Sequence, residues 1–350
     1  MTTRMIPLVA LTNTLTEALP SKVRKEDSPQ WKNGKFVNAE PIHNNYWEML
    51  TSIRNASPHT APHDPLPLIH VDENRFRTAP TSGLRVTWLG HSTTLLEIDG
   101  QRILLDPVWA KRASPFQWVG PKRWYAPLLE LDKLPELDAV LISHDHYDHL
   151  DEVAIKAMAK RNPRFIVPLG VGKLFQKWGI SPHRITELDW WDSTELGNMK
   201  ITATPARHAS GRGLHDHFRT LWCGFALHTS VHRVYYSGDT GPQAAMSEIG
   251  TRLGPFDLTL IECGQYNHAW PDWHMTPEQT LAAHIALHGR ILMPVHWGLF
   301  RLSHHSWKEP VERLFAANAK REQTLMVPKP GESIEPALSR PQEEWWTGIE

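Results

Sequence analysis

The chain has 350 residues, room for one large domain or two modest ones. A hydrophobic share of 41 % and a charged share of 21 % fit a globular protein with its own core, and a net charge of −1 without a dense Lys/Arg cluster argues against nucleic acid as a partner. Only two cysteines are present, which excludes a disulfide framework and leaves Cys223 and Cys263 as expected buried thiols.

Between Met1 and Pro20 the longest apolar stretch, residues 6–11, contains Pro7, is too short for a signal-peptide core and lacks an Ala-x-Ala site. No apolar run reaches the roughly 18 residues of a membrane span. The cytoplasm is the expected location, with peripheral membrane association left open. Residues 1–80 read as an extension wrapping the main domain. They hold one short helix over 45–53, carrying Tyr46, Trp47, Leu50 and Ile53, and an extended stretch over 57–67 with four prolines.

The main domain is expected over 81–330. Strands are predicted at 84–89, 93–98 and 102–105, with Asp99-Gly100 as the hairpin turn between the last two. A continuous apolar strand over 138–142 runs into a polar His/Asp cluster. A helix over 150–160, a strand over 165–168 and a helix over 171–178 follow. Further strands are predicted at 200–204, 221–228, 233–237, 258–261 and 290–295. Helices are predicted at 277–288, with Thr276 as N-cap and Glu278 in the first turn, and at 307–317. Residues 331–350 read as an irregular tail. Both halves are strand-rich with helices following, which suits packed sheets with helices outside.

The chemistry concentrates in one loop. His144-Asp145-His146-Tyr147-Asp148-His149 holds three His and two Asp in six residues, after a buried strand and before a helix. His144 and His146 share a face when the backbone is extended, and Asp148 and His149 face a second point at the helix entrance. Burying so many imidazoles and carboxylates without a cation would be costly. His208, Asp239 and His296 each follow an apolar β-run. Each alone reads as an ordinary strand-end residue; beside the loop they complete seven ligands for two metal ions.

The pattern His144-x-His146-x-Asp148-His149, then His208, Ser237-Gly238-Asp239 and His296, resembles the metallo-β-lactamase superfamily. The resemblance implies an α/β fold, a four-layer αββα sandwich with the site at one sheet edge. It implies His144, His146 and His208 on one metal, Asp148, His149 and His296 on a second, and Asp239 bridging both. A narrower likeness lies in Trp88-Leu89-Gly90-His91-Ser92-Thr93, Leu105-Asp106-Pro107-Val108, the run from Arg112 to Arg123, Trp273-His274-Met275-Thr276-Pro277-Glu278 and Pro294-Val295-His296-Trp297-Gly298. These segments resemble the N-acylphosphatidylethanolamine-hydrolysing phospholipase D family, in its bacterial branch.

That likeness implies a binuclear metal-dependent hydrolase, a phosphodiesterase of phospholipase D type, acting through a metal-bridging hydroxide. Imidazole and carboxylate donors without thiolate make two Zn2+ ions the first expectation. Asp148 and His274 are the candidate catalytic residues, His274 as the group that touches the scissile phosphate or protonates the leaving group. His91 is read as supporting, and Asp106 as orienting a metal-binding His. Trp118, Trp124, Tyr125, Trp190 and Trp191 are candidates for a substrate groove or for packing. The expected partner is a small-molecule or phospholipid substrate, and a homodimer stays open. Two alternatives remain: a metal-dependent lactonase or carboxyl-ester hydrolase on the same fold, and a non-catalytic metal-binding scaffold.

Overall fold

The computed structural model describes residues 24–338 and 343–350; the apolar stretch 6–11 lies outside them. In the extension, β1 (Trp31–Lys32) and β2 (Lys35–Phe36) pair as a hairpin, and α1 (Tyr46–Thr51) follows. Phe36 is buried in the central core and Phe76 against the first sheet's outer face. Among the described residues, no helix is long and apolar enough to cross a membrane.

The first half supplies β3 (Leu84–Gly90), β4 (Thr93–Ile98), β5 (Gln101–Leu105), β6 (Ala139–Leu141), α2 (Glu152–Ala159), β7 (Arg164–Pro168), α3 (Gly172–Lys177) and β8 (Ile185–Leu188). The second supplies β9 (Ser193–Leu196), β10 (Met199–Thr204), β11 (Gly224–His228), β12 (Arg233–Tyr236), α4 (Ala245–Leu253), β13 (Leu258–Glu262), α5 (Pro277–Ala286), β14 (Ile291–Val295), α6 (Glu309–Asn318), β15 (Thr324–Leu325) and β16 (Ser333–Ile334). They form two seven-stranded sheets, ordered β16-β3-β4-β5-β6-β7-β8 and β15-β14-β13-β12-β11-β10-β9. Hairpins make the early strands of each sheet antiparallel; the long irregular segment 106–138 between β5 and β6, and helical crossovers after it, make the later ones parallel. Asp99 and Gly100 turn the β4–β5 hairpin with φ of 47° and 88°, as a two-residue turn requires.

The strands read as nearly unbroken apolar runs because both faces are covered. Alternate residues divide the load. Leu84, Val86 and Trp88 of β3, with Ile103 and Leu105 of β5, meet Ile201 and Ala203 of β10 and Leu258 and Leu260 of β13 between the sheets. Leu104, Val140 and Phe165 turn the other way, onto Ile155 and Met158 of α2 and Phe175 of α3. Tyr235, Ile261 and Leu292 do the same on the second sheet, onto Ile249 of α4, Leu281 of α5 and Leu314 of α6. The result is the αββα sandwich. Thr276 caps α5 in a full capping box with Gln279. Cys223 and Cys263 are free and buried.

The last residues differ from the irregular tail expected over 331–350. Ser333 and Ile334 pair with Thr87 and Val86 as an edge strand, and Trp345 and Trp346 are buried beside Trp297. A two-residue strand leaves no period to read, and flanking acidic residues hid the tryptophans. Trp346→Ala is expected to cost about 3–5 kcal/mol, the range for emptying a large aromatic site. A lowered urea midpoint at unchanged slope would register it; an unshifted midpoint would show the tail to be dispensable.

Candidate metal centre

Strand direction decides where the polar residues gather. Within the first sheet β3, β5 and β6 run the same way, and so do β10, β12, β13 and β14 in the second. His91, Asp106 and His144 follow the carboxyl ends of the first set. His208, Asp239 and His296 follow those of the second, and Glu262 closes β13 itself. All seven are at most 3 % exposed. His91, Asp106 and His296 take φ of 53°, 38° and 66°, a left-handed backbone that costs non-glycine residues roughly 1–3 kcal/mol each and turns the chain sharply at the strand ends.

Two donor groups result. His146 Nδ1 lies 2.9 Å from His144 Nε2 and 3.3 Å from His208 Nε2. Asp148 Oδ2 lies 3.2 Å from both His149 Nε2 and His296 Nε2. One oxygen, Asp239 Oδ2, reaches both groups: 3.1 Å from His149 and His296, 3.6 Å from His208 and 3.7 Å from His144. The structure thus brings together all seven residues singled out as ligands. Donors turned onto common points suit cations. So does Asp239 Oδ1, which is buried without a hydrogen-bond partner. Asp145 stands apart, accepting from Gly211 N and Thr220 Oγ1 and so tying down the 210–220 loop.

The electrostatics divide the imidazoles. Burial, reinforced by neighbouring histidines, holds His144 and His208 well below the usual range, and burial lowers His146 against nearby carboxylates. Burial opposes protonation of His149 and His296 too, but Asp239 and Asp148 outweigh it and hold both well above. Burial would raise the Asp148 and Asp239 carboxyls; His149 and the hydrogen bonds around them keep both well below the carboxylate range.

Supporting contacts fix the donors. Asp106 Oδ2 sits 2.6 Å from His149 Nδ1 and accepts from Tyr236 Oη and Ser143 Oγ, both at 2.5 Å, while Oδ1 accepts from Ser143 N at 2.7 Å. His208 Nδ1 faces Trp273 O at 3.1 Å. His91 Nε2 meets Asp148 Oδ2 at 2.9 Å, its ring neutral because burial takes it down to about 3. Asp106→Asn keeps the shape and removes the charge behind His149. It is expected to weaken metal affinity about 10- to 100-fold, read by competition with a chelating dye.

Sequence reasoning missed Glu262. Its Oε2 is 2.9 Å from His274 Nδ1, and Oε1 accepts from Met275 N at 2.5 Å. A polar residue ending the apolar run Leu258-Thr259-Leu260-Ile261 carried the same signal as the other strand ends. His274 stacks on His296 with centroids 4.9 Å apart and meets His208 edge-on at 5.2 Å. It also lines a cavity of about 420 Å³ with Asn267, His268, His304 and Arg313. A second cavity, about 830 Å³, is lined by Trp109, Leu131, Val153 and Tyr147, the last from the His/Asp loop. Of the proposed groove aromatics, Trp124 and Tyr125 line a third cavity, Trp190 and Trp191 pack with the core, and Trp118 is exposed.

Residues 101–297 match the family described as the β-lactamase superfamily domain. The chain belongs to the metallo-β-lactamase superfamily and is a metal-dependent hydrolase. Within it, the chain is 38 % identical over 262 residues to N-acyl-phosphatidylethanolamine-hydrolyzing phospholipase D 1 of Caenorhabditis elegans, covering 71 % of this chain and 73 % of that one. A Mycobacterium tuberculosis protein of uncharacterized activity is 42 % identical over 344 residues, 94 % of this chain and 90 % of its own. The fold is shared with a metallo hydrolase of the archaeon Ignicoccus hospitalis, with TM-score 0.55 at 24 % identity, over 72 % of this chain and 97 % of the other.

Proposed function

We propose that the chain is a binuclear phosphodiesterase of phospholipase D type. It would hydrolyse the P–O bond on the head-group alcohol side of N-acylphosphatidylethanolamine-like diesters. The observation that carries the reading is the placement of Asp239 Oδ2 within 3.1–3.7 Å of four imidazole nitrogens from two donor groups. His144, His146 and His208 would hold one ion, Asp148, His149 and His296 the other, with Asp239 between them. Borderline nitrogen and oxygen donors without thiolate favour zinc. Bound dications supply an activated water and polarise the phosphoryl oxygen. The likeness to the worm enzyme supports the substrate class.

The chain's own residues do the positioning. Glu262 Oε2 lies 2.9 Å from His274 Nδ1. With a proton on each ring nitrogen, His274 would donate Nδ1–H to Glu262 and give its Nε2 proton to the departing alkoxide, returning to the neutral ring. Asp148 is held in place by His91. The cavity at Tyr147 offers Trp109, Leu131 and Val153 to an apolar chain, and the one at His274 offers Asn267, His304 and Arg313 to a polar group.

The test is a panel of bis-aryl phosphodiester, N-acylphosphatidylethanolamine and lactones, each run before and after chelation. Chelator-sensitive turnover of the diesters supports the reading. Turnover of lactones alone moves the chain to the carboxyl-ester alternative. Bound metal with no turnover of any of them marks a scaffold.

A further inference from the structure

Three of the exposed large apolar residues sit together on one short loop: Phe116 at 55 % exposure, Trp118 at 76 % and Val119 at 45 %. The loop is not slack. Its stem closes through the Arg112–Lys122 bridge, Ala113 N to Pro121 O and Arg123 N to Lys111 O. Inside, Gln117 accepts from Arg112 N, and Arg112 Nη1 donates to Gly120 O. Gly120 takes φ of 97°, and a Cβ there would meet Ser114 Cβ at 2.7 Å. The backbone is built to hold Phe116 and Trp118, with ring centroids 5.6 Å apart, out in water.

Along the loop and its stem the charge has one sign. Lys111, Arg112, Lys122 and Arg123 flank the tip, and residues 111–123 contain no Asp or Glu. Among the described residues none of these four cations lies in a salt bridge, while the acids nearby are engaged. Glu130 pairs with Lys133, Glu152 with Lys156, and Asp151 accepts from the amides of Trp109 and Ala110. Pro115 and Gln117 line the cavity that includes Tyr147, and the residues from Gly120 to Tyr125 line the third cavity.

We propose that the 112–122 loop is a membrane-docking element: Phe116, Trp118 and Val119 enter the interfacial layer of an anionic phospholipid surface, and Lys111, Arg112 and Lys122 meet lipid phosphates at its rim. An aromatic tip with a cationic collar matches the layered chemistry of a bilayer, apolar below and anionic above. Phosphate-level cations contribute about fivefold in partitioning each. Docking is a property of this loop and holds whether or not the diester reading does.

The test is co-sedimentation of the full chain with vesicles of phosphatidylcholine, with and without about a quarter phosphatidylglycerol. The wild type is expected to pellet with the anionic vesicles. Phe116→Ser/Trp118→Ser should reduce partitioning at least about tenfold, and Lys122→Glu should remove more than about fivefold of the preference for phosphatidylglycerol. Both variants should keep the wild-type melting midpoint, since the altered side chains are exposed; Trp118→Ser alone serves if the double variant does not fold. Absence of wild-type binding, or equal binding by wild type and the tip variant, overturns the proposal. So does self-association in sedimentation velocity that the tip variant abolishes without any vesicle binding, because the patch would then be a contact between copies.

Discussion

Asp239→Asn should bind at most one ion where the wild type binds two, and lose on the order of a thousandfold in diester turnover. The substitution keeps the shape and removes the negative charge. It can also turn N–H groups toward His149 Nε2 and His296 Nε2, each 3.1 Å from Oδ2 in the wild type. Among the described residues, Asp148 pairs with His149 and His296 but with neither His144 nor His208, and Asp106 faces the Nδ1 side of His149. Metal analysis beside turnover checks it. Retention of both ions with more than about a tenth of the activity would remove the bridging role.

Acidification should empty the two positions in sequence, the Asp148/His149/His296 position first. In the metal-free chain His149 and His296 hold protons because Asp239 and Asp148 outweigh their burial. A cation entering there must expel both. Lower pH favours the protonated, empty form, so affinity falls as pH falls, by about a hundredfold per pH unit while two protons are displaced. His144, His146 and His208 are lowered by burial and are already bare at neutral pH, so their position carries no such cost until well below the ordinary imidazole range. Metal stoichiometry measured from pH 8 to pH 5 should step from two ions to one. Simultaneous loss of both would show that the groups are not electrostatically distinct.

How much was legible depends on how local each signal was. The His144–His149 run is contiguous and sits between an apolar strand and a helix, so it declared itself. His208, Asp239 and His296 were readable because each follows a strong strand, and the parallel alignment of β10, β12 and β14 then carries them to one edge. The sandwich was legible from the same runs. Short elements were not: β8, β9 and β15 have four residues or fewer, and β16 has two. Helix α4 also escaped, its apolar Met246 and Ile249 set among polar neighbours. Glu262 was passed over because a lone strand-end carboxylate says little until His274 is known to fold back on it. The exposure of Trp118 could not be read at all, since tryptophan in a sequence looks the same in a core and at a tip.

The division of donors between the two sheets has a consequence for assembly. His91, Asp106 and the His144–His149 loop come from the first half of the chain, and His208, Asp239, Glu262, His274 and His296 from the second. Each half alone carries an open, incomplete cup, and only their union makes a closed one. If the two halves were expressed as separate polypeptides, regained metal uptake would report that they had found each other, with the ion acting as a clasp across the seam.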